Sequence, residues 1–279
     1  TAPPVDASSS RGPDSNGWYN HGLTVGFSGS DGLSGVAGCS APRSYAGPDS
    51  GSVTINGTCS DVAGNPSGAS VSFKYDATPP DVEARPDRKP NAKGWYNREV
   101  RVSFVGTDAT SGVESCAPAA TYDGPDTKHV AVSGSCRDRA ANVSGEARFQ
   151  LKYDTTEPEL AHLRRAKLRG RGILLRWASD DASTFVVVRR PGREGARSST
   201  VYTGPEPRLV DREVTAGVEY RYTVTASDEA GNSTAKDLLV RSESSTRVTS
   251  AARPTPFSWS SSRATSWTIS SRVCAAWAS

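Results

Sequence analysis

The sequence has none of the short motifs that identify common enzymes. GxSxG, HExxH, a P-loop and a dinucleotide-binding fingerprint are all absent from its 279 residues. Its three histidines, His21, His129 and His162, lie far apart, and none accompanies a nucleophile motif. We therefore predict that the chain is not an enzyme and that it has no catalytic residue, no cofactor and no metal site.

Long apolar runs and methionine are missing too. No window approaches the roughly 18 consecutive apolar residues of a membrane span, and no segment has the pattern of a signal peptide. We therefore predict no membrane insertion. Because the chain has no methionine and opens on Thr1, we interpret it as a piece of a longer protein.

The sequence also lacks the concentrated positive charge that typifies nucleic-acid binders. Lysine and arginine number 33 against 30 acidic residues, a net charge of +3, so we predict no nucleic-acid partner. Two interpretations of the densest basic run stay open: contact with an acidic surface polymer, or a solvated linker and strand edge. That run comprises Arg164, Arg165, Lys167, Arg169, Arg171 and Arg176.

What the sequence does contain is an internal repeat with a period of 77 residues. Residues 17–66 align without a gap on residues 94–143, with 22 of 50 positions identical. Gly17-Trp18-Tyr19-Asn20, for example, falls on Gly94-Trp95-Tyr96-Asn97. A repeat of this length indicates tandem copies of one structural module.

Proline-containing junctions mark the ends of the modules. Thr78-Pro79-Pro80 is echoed by Thr156-Glu157-Pro158, and Thr1 to Ala7 match the first junction at the same shift, which suggests a preceding module. Proline stiffens such junctions. We predict immunoglobulin-like repeats at 1–79 and 80–157, a third domain at 158–242 and a Ser-rich, disordered tail at 243–279.

The apolar pattern inside each repeat is that of β-strands. Apolar residues alternate, as in Leu23, Val25 and Phe27, and turn-forming residues separate the runs. Alternation with turns every 8 to 12 residues or so predicts an antiparallel β-sandwich. No stretch shows helical periodicity.

The cysteines occur as two pairs that superpose under the repeat. Cys39 and Cys59 have the same separation as Cys116 and Cys136, so duplication favours pairing within each module. A metal site is the competing interpretation, but there is no CxxC motif. Disulfides predict an oxidising, extracellular location, and each bond would add about 3 kcal/mol of stability. Cys274 is left over.

Residues 158–242 contain no cysteine but have strand-like runs at 173–177, 185–189 and 220–226. The segment resembles a bacterial fibronectin type III domain, which implies that Trp177 is the buried tryptophan of the second strand and Tyr220 the tyrosine-corner residue. The first two modules resemble the immunoglobulin-like repeats of large bacterial surface proteins, since Asp61 to Asn65 and Asp138 to Asn142 repeat the turn of Asp228 to Asn232. The resemblance implies an all-β fold of tandem immunoglobulin-like and fibronectin type III-like β-sandwiches with a disordered C-terminal tail.

Two binding hypotheses compete with plainer structural ones. Oxygen atoms could gather around calcium at one end of each sandwich, or the Asp and Asn side chains could simply close turns; the residues are Asp31, Asp61, Asn65, Asp108, Asp138 and Asn142. Trp18-Tyr19 and Trp95-Tyr96 could stack on a glycan if exposed, or could pack in the core and at the junction.

The tail differs from the modules in composition. Serine accounts for 11 of the last 37 residues, while glycine, leucine and lysine disappear. We interpret it as the product of a shift in reading frame. For the whole chain we predict a monomeric rod, a non-catalytic spacer or adhesive array of a secreted or cell-surface bacterial protein whose partner is an unknown surface protein or glycan. The alternative is an accessory, carbohydrate-binding array of an extracellular polysaccharide-degrading enzyme.

Overall fold

The computed structural model describes residues 1–168, 171–193 and 195–243, and every regular element in this part of the chain is a β-strand. Thr1 to Glu243 form one compact unit. The predicted tail lies, from Ser244 onward, outside the described residues. Among the described residues there is no helix long and apolar enough to cross a membrane.

Module 1, the name used here for strands β1 to β7, is a sandwich of two sheets. One sheet has the order β1-β3-β5 and the other the order β2-β7-β6-β4. All pairs are antiparallel except β2 with β7. The strands are β1 (Val5–Ser9), β2 (Trp18–Tyr19), β3 (Leu23–Gly29), β4 (Val36–Cys39), β5 (Arg43–Tyr45), β6 (Ser50–Asp61) and β7 (Pro66–Tyr75).

Module 2, strands β8 to β15, repeats this plan with one interruption. Its sheets have the orders β12-β10-β8, β13-β15-β9 and β11-β14, so the long strand β6 of module 1 is here divided into β13 and β14. The strands are β8 (Asp81–Pro86), β9 (Trp95–Tyr96), β10 (Val100–Thr107), β11 (Val113–Cys116), β12 (Ala120–Tyr122), β13 (Thr127–Gly134), β14 (Cys136–Asp138) and β15 (Ala147–Tyr153).

Module 3, strands β16 to β22, packs the sheet β16-β17-β20 against the sheet β19-β18-β21-β22. The runs predicted as strands are β17, β18 and β21. The strands are β16 (Leu160–Ala166), β17 (Ile173–Ser179), β18 (Thr184–Pro191), β19 (Ser199–Gly204), β20 (Arg208–Asp211), β21 (Glu219–Ser227) and β22 (Ser233–Arg241).

Each module has its own hydrophobic core, made by the inward residues of alternating strands. Leu23 and Val25 are buried in module 1, Val100 and Val102 in module 2. The core of module 3 is built around Leu160, Ile173, Leu175, Trp177, Val187, Tyr222 and Val224. The described chain is therefore an all-β tandem array of immunoglobulin-like sandwiches, as the alternating pattern predicts.

A close contact between an aromatic ring and a glycine recurs in the first two modules. Phe27 on β3 lies so near Gly57 on β6 that a Cβ atom there would be 2.5 Å from the ring. Phe104 and Gly134 repeat the arrangement in module 2, at 2.6 Å. Only glycine lets the ring lie against the facing backbone, which explains a residue that is otherwise unfavourable inside a strand.

Candidate functional site at the module junctions

The turn that follows the long strand of each module is closed by one aspartate and one asparagine. In module 1 the backbone N–H of Asn65 donates to Asp61 Oδ1 (2.8 Å), and Asn65 Nδ2 donates to Asp61 Oδ2 (2.7 Å). Asn142 makes the same two bonds to Asp138, and Asn232 to Asp228. These side chains therefore close the turn, as the plainer interpretation predicts.

In modules 2 and 3 the same asparagine also reaches the preceding module. Asn142 Nδ2 donates to the backbone carbonyl of Asp76 (3.0 Å), and Asn232 Nδ2 donates to the backbone carbonyl of Asp154 (2.9 Å). Both aspartates follow the last strand of the preceding module. The two junctions therefore contain the same kind of hydrogen bond, between equivalent residues.

The junction between modules 1 and 2 has further polar contacts. The backbone N–H of Ser111 donates to Asp76 Oδ2 (3.0 Å), and Asn20 Nδ2 donates to the carbonyl of Ala140 (2.9 Å). Asn16 Nδ2 donates to the carbonyl of Arg139 (3.1 Å). Asp76 is 0% exposed. Contacts of this number and burial fix the two modules against each other.

The junction between modules 2 and 3 is built from other loops as well. Asn91 Nδ2 donates to the carbonyl of Glu229 (2.9 Å), and Lys93 forms an ion pair with the carboxylate of that residue (3.4 Å). The Thr234 hydroxyl donates to Glu157 Oε2 (3.0 Å). The ion pair is exposed and contributes little, whereas the Asn232 amide that binds the carbonyl of Asp154 is partly buried.

Three carboxylates meet at each junction. Asp76 joins Asp108 and Asp138, with one oxygen of each within 4.8 Å of the others. Asp154, Asp181 and Asp228 form the second cluster under the same limit. Such oxygens are the donor type that hard cations prefer, so these residues could hold one. The asparagines present Nδ2 rather than Oδ1 to the aspartates, so Asn65 and Asn142 do not serve as ligands in this arrangement.

Burial raises the pKa of the Asp76 carboxyl above its ordinary value of 3.8, and the charge of Asp108 adds to the increase. Burial likewise raises the pKa of Asp154. The pKa of Asp61 is lowered because the side chain and backbone of Asn65 donate to it, and the pKa of Asp31 is lowered by the backbone N–H of Leu33. The pKa shifts of Asp76 and Asp154 at the junctions are therefore opposite in direction to those of Asp31 and Asp61 in module 1.

Asp108 and Asp138 were predicted from the sequence as candidate ligands, whereas Asp76 and Asp154 were not. Both missed residues follow a tyrosine at the end of a strand, in Tyr75-Asp76 and Tyr153-Asp154. The repeated Tyr-Asp pair just before each Thr-containing junction was the available signal. Asp181 was not predicted as a junction residue, because the approach of one module to the next is not visible in sequence.

The aromatic pairs considered for glycan stacking are buried. Trp18 is 7% and Trp95 9% exposed, and Tyr19 and Tyr96 lie in the cores of their modules. Lys74 Nζ stands over the Trp18 ring at 5.5 Å, and Lys152 Nζ over the Trp95 ring at 5.3 Å. Neither tryptophan offers an open platform, so the core-and-junction interpretation accounts for them.

The cysteines lie where the repeat predicts. The Sγ atoms of Cys39 and Cys59 are 2.04 Å apart, and those of Cys116 and Cys136 are 1.95 Å apart. Each pair joins directly opposite residues of neighbouring antiparallel strands, β4 with β6 and β11 with β14. Cys59 and Cys136 are both buried.

The two features expected from the fibronectin type III resemblance are present in module 3. Trp177 is buried in the core on the second strand. The Tyr220 hydroxyl accepts a hydrogen bond from the backbone N–H of Thr215 (2.9 Å), five residues upstream, which is the geometry of a tyrosine corner.

Comparison with known proteins gives likenesses of architecture. No protein-family model matches the sequence, and no curated protein matches it. A titin fragment is similar with a TM-score of 0.40 and 11% identity, over 87% of this chain and 99% of that one. A tetra-tandem repeat from the extending region of a large adhesion protein has a TM-score of 0.32 and 15% identity, over 87% and 74%. A structure concerning host cell surface retention of a 1.5-MDa bacterial ice-binding adhesin has a TM-score of 0.40 and 14% identity, over 88% and 98%. Likenesses at this level carry no argument about function.

Proposed function

We propose that the chain is a non-catalytic structural array of a secreted or cell-surface bacterial protein, a spacer or adhesive segment that holds its modules in fixed succession. The observation that carries the proposal is the repeated junction, in which Asn142 and Asn232 bind the carbonyls of Asp76 and Asp154. A linker that only tethered two domains would need no such contact.

The linkers themselves are tied down in the same way. Asp49 accepts hydrogen bonds from the backbone N–H of Ala77 (2.9 Å) and from the Thr78 hydroxyl. Asp126, at the equivalent position of module 2, accepts from the backbone N–H of Thr155 (2.9 Å) and from the Thr156 hydroxyl (2.5 Å). Each linker is therefore bonded to the module that it leaves as well as to the one that it enters.

Within this proposal the domains are immunoglobulin-like repeats at 1–79 and 80–157 and a fibronectin type III-like domain at 158–242. The three-stranded and four-stranded sheets of module 3, together with Trp177 and Tyr220, support the last assignment. The two cysteine pairs support an extracellular location, because disulfides persist in oxidising compartments. We propose that the array is a monomer.

Amide nuclear magnetic resonance tests the fixed junction. In the unchanged chain, residual dipolar couplings of modules 1, 2 and 3 should fit one alignment tensor. Changing Asn142→Ala removes the amide that binds Asp76 but leaves the bonds of Asn16 and Asn20, so the fit of modules 1 and 2 to one tensor should become measurably worse, with a loss of about 1 kcal/mol in stability.

Asn65→Ala is the matched control. Asn65 closes the same kind of turn but has no hydrogen bond to another module among the described residues. This variant should therefore loosen its own turn and leave the common tensor intact. Independent tumbling of the modules in the unchanged chain would contradict the proposed function.

A further inference from the structure

Three arginines stand in a row across the sheet β16-β17-β20. Arg164 on β16 lies directly opposite Arg176 on β17, and Arg176 lies directly opposite Arg208 on β20. Directly opposite residues of antiparallel strands point to the same face of the sheet. All three are exposed, whereas the neighbours of Arg176 along the strand, Leu175 and Trp177, are in the core. We call this set the arginine row.

A β-bulge produces the alignment. The pairing of β16 with β17 shifts between Ala161 and Arg164, and His162 within the bulge has a backbone φ of 54°. A non-glycine residue in this conformation is strained, and a bulge re-aims the side chains that follow it. Without the extra residue, Arg164 would not lie opposite Arg176.

The arginine row is unfavourable for the folded module on its own. Like charges directly opposite one another on a sheet destabilise it. Among the described residues, none of the three arginines has a carboxylate within 4.0 Å, whereas the neighbouring Arg165 forms an ion pair with Glu243. The row therefore presents three unneutralised guanidinium groups to solvent, which calls for a negatively charged partner.

We propose that the arginine row binds a linear acidic polysaccharide that carries a carboxylate on successive sugars. Neighbouring strands are about 4.8 Å apart, so the backbones of the three arginines recur at a spacing comparable to the advance of one sugar in an extended chain, and their long side chains can reach carboxylates along it. The planar guanidinium group binds a carboxylate through two parallel hydrogen bonds. The proposal goes beyond the structural role, because it names a partner and a surface for it.

The surroundings of the row fit a polysaccharide better than a nucleic acid. On one side lie Ala161 and Ala178, and on the other Ala166, Leu174 and Val210, all uncharged and paired across the same strands. No aromatic side chain belongs to this described face, so bases would have nothing to stack on. Leu174 is buried, and the other four residues are half-buried, so it is these four that the C–H faces of sugar rings can contact beside the charges.

Further positive charge lies at one end of the face. Lys167 follows β16, Arg171 precedes β17 and Arg212 follows β20, and all three are exposed. Of the basic run seen in sequence, Arg164 and Arg176 belong to the arginine row, while Lys167 and Arg171 lie just beyond the ends of its strands. Arg165 instead pairs with Glu243, and Arg169 lies outside the described residues.

Calorimetric titration of the full chain with an oligogalacturonate tests the proposal. The unchanged chain should bind, and binding should weaken as salt is added. The triple variant Arg164→Gln, Arg176→Gln and Arg208→Gln should bind about tenfold more weakly or worse. Its melting temperature at low salt should be no lower than that of the unchanged chain, since the substitutions remove like-charge repulsion.

The control variant carries Arg43→Gln, Arg98→Gln and Arg101→Gln, three exposed arginines of modules 1 and 2 with the same total change in charge. It should retain the affinity of the unchanged chain. A second variant, Arg164→Lys, Arg176→Lys and Arg208→Lys, keeps the charge without the planar guanidinium group and should give an intermediate affinity. The proposal is overturned if the unchanged chain does not bind the oligogalacturonate, or if the two glutamine variants lose the same amount of affinity for it. It is also overturned if single-stranded DNA binds more tightly and this binding is lost when the arginine row is replaced.

Discussion

Ala141 has a backbone φ of 77°, a left-handed conformation that alanine adopts only with strain. The equivalent turns of modules 1 and 3 have glycine here, Gly64 with a φ of 87° and Gly231 with a φ of 93°. Ala141→Gly should therefore stabilise module 2 by about 0.5–1 kcal/mol, because relief of strain exceeds the added entropy of the unfolded chain. Urea unfolding of the full chain measures the change.

The reciprocal variant makes the comparison sharper. A Cβ atom on Gly64 would meet no atom within 4 Å, so Gly64→Ala introduces backbone strain without a clash. It should destabilise module 1 by an amount similar to the gain in module 2. If both substitutions destabilise, backbone strain at this turn is not the controlling effect.

At the scale of strands, the sequence predicts what depends on local pattern and misses what depends on pairing. The alternation of Leu23, Val25 and Phe27 predicts β3, because its side chains alternate between core and solvent. The bulge at His162 was not predicted, since its register depends on the partner strand β17. For the same reason the sequence shows a basic run, while only the strand pairing turns Arg164, Arg176 and Arg208 into a row.

The cysteine pairs tie two short strands to the strands that pair with them. β4 has only four residues and pairs with the end of β6 at Val36, Gly38 and Cys39, with a register shift between Val36 and Gly38. Replacing Cys39 and Cys59 together by alanine should lower the stability of module 1 by about 3 kcal/mol, because a loop with a sequence separation of 20 is no longer closed. Peptide mapping by mass spectrometry without reduction checks the pairing in the unchanged chain.

Hydrogen exchange locates the effect of that replacement. The backbone N–H of Ser40, which donates to the carbonyl of Thr58 (2.8 Å), should exchange faster once β4 is released. The N–H groups that link β1 with β3 should keep their protection, since no cysteine lies in that sheet. If the exchange rates of all N–H groups in module 1 rise by the same factor, the disulfide stabilises the whole sandwich and not β4 in particular.

At the scale of the whole molecule, the period of 77 residues predicts that junctions recur but not what they contain. Asp76 and Asp154 each come directly after the last strand of a module, and the residues that contact them include residues of the next module. Only the folded chain brings Asp76 to Asp108 and Asp138. Candidate site residues within a turn, such as Asp138 and Asn142, were accordingly predictable, and those supplied across a junction were not.

The buried aspartates at the junctions and the aspartates that bind turns and linkers should affect the free energy of unfolding in opposite directions as the pH changes. Burial raises the pKa of Asp76 and Asp154, so their contribution to stability is fully present below the unfolded pKa near 3.8 and is lost as the pH rises through the folded pKa. The pKa of Asp126 is lowered by the hydroxyl of Thr156, so its contribution is present at neutral pH and lost as the pH falls.

Variants at these positions separate the two effects. Between about pH 4 and about pH 7, the free energy of unfolding of Asp76→Asn should rise more steeply with pH than that of the unchanged chain. The reason is that the variant lacks the buried carboxyl whose ionisation destabilises the folded junction. The effect of Asp126→Asn belongs below about pH 4, because the pKa of Asp126 is lowered; there the free energy of unfolding of this variant should fall less steeply with decreasing pH than that of the unchanged chain. Unfolding measured with a chelator present excludes a contribution from stray cations at the clusters. Parallel profiles for all three proteins would mean that Asp76 ionises as freely in the folded junction as in the unfolded chain, and that its burial carries no electrostatic cost.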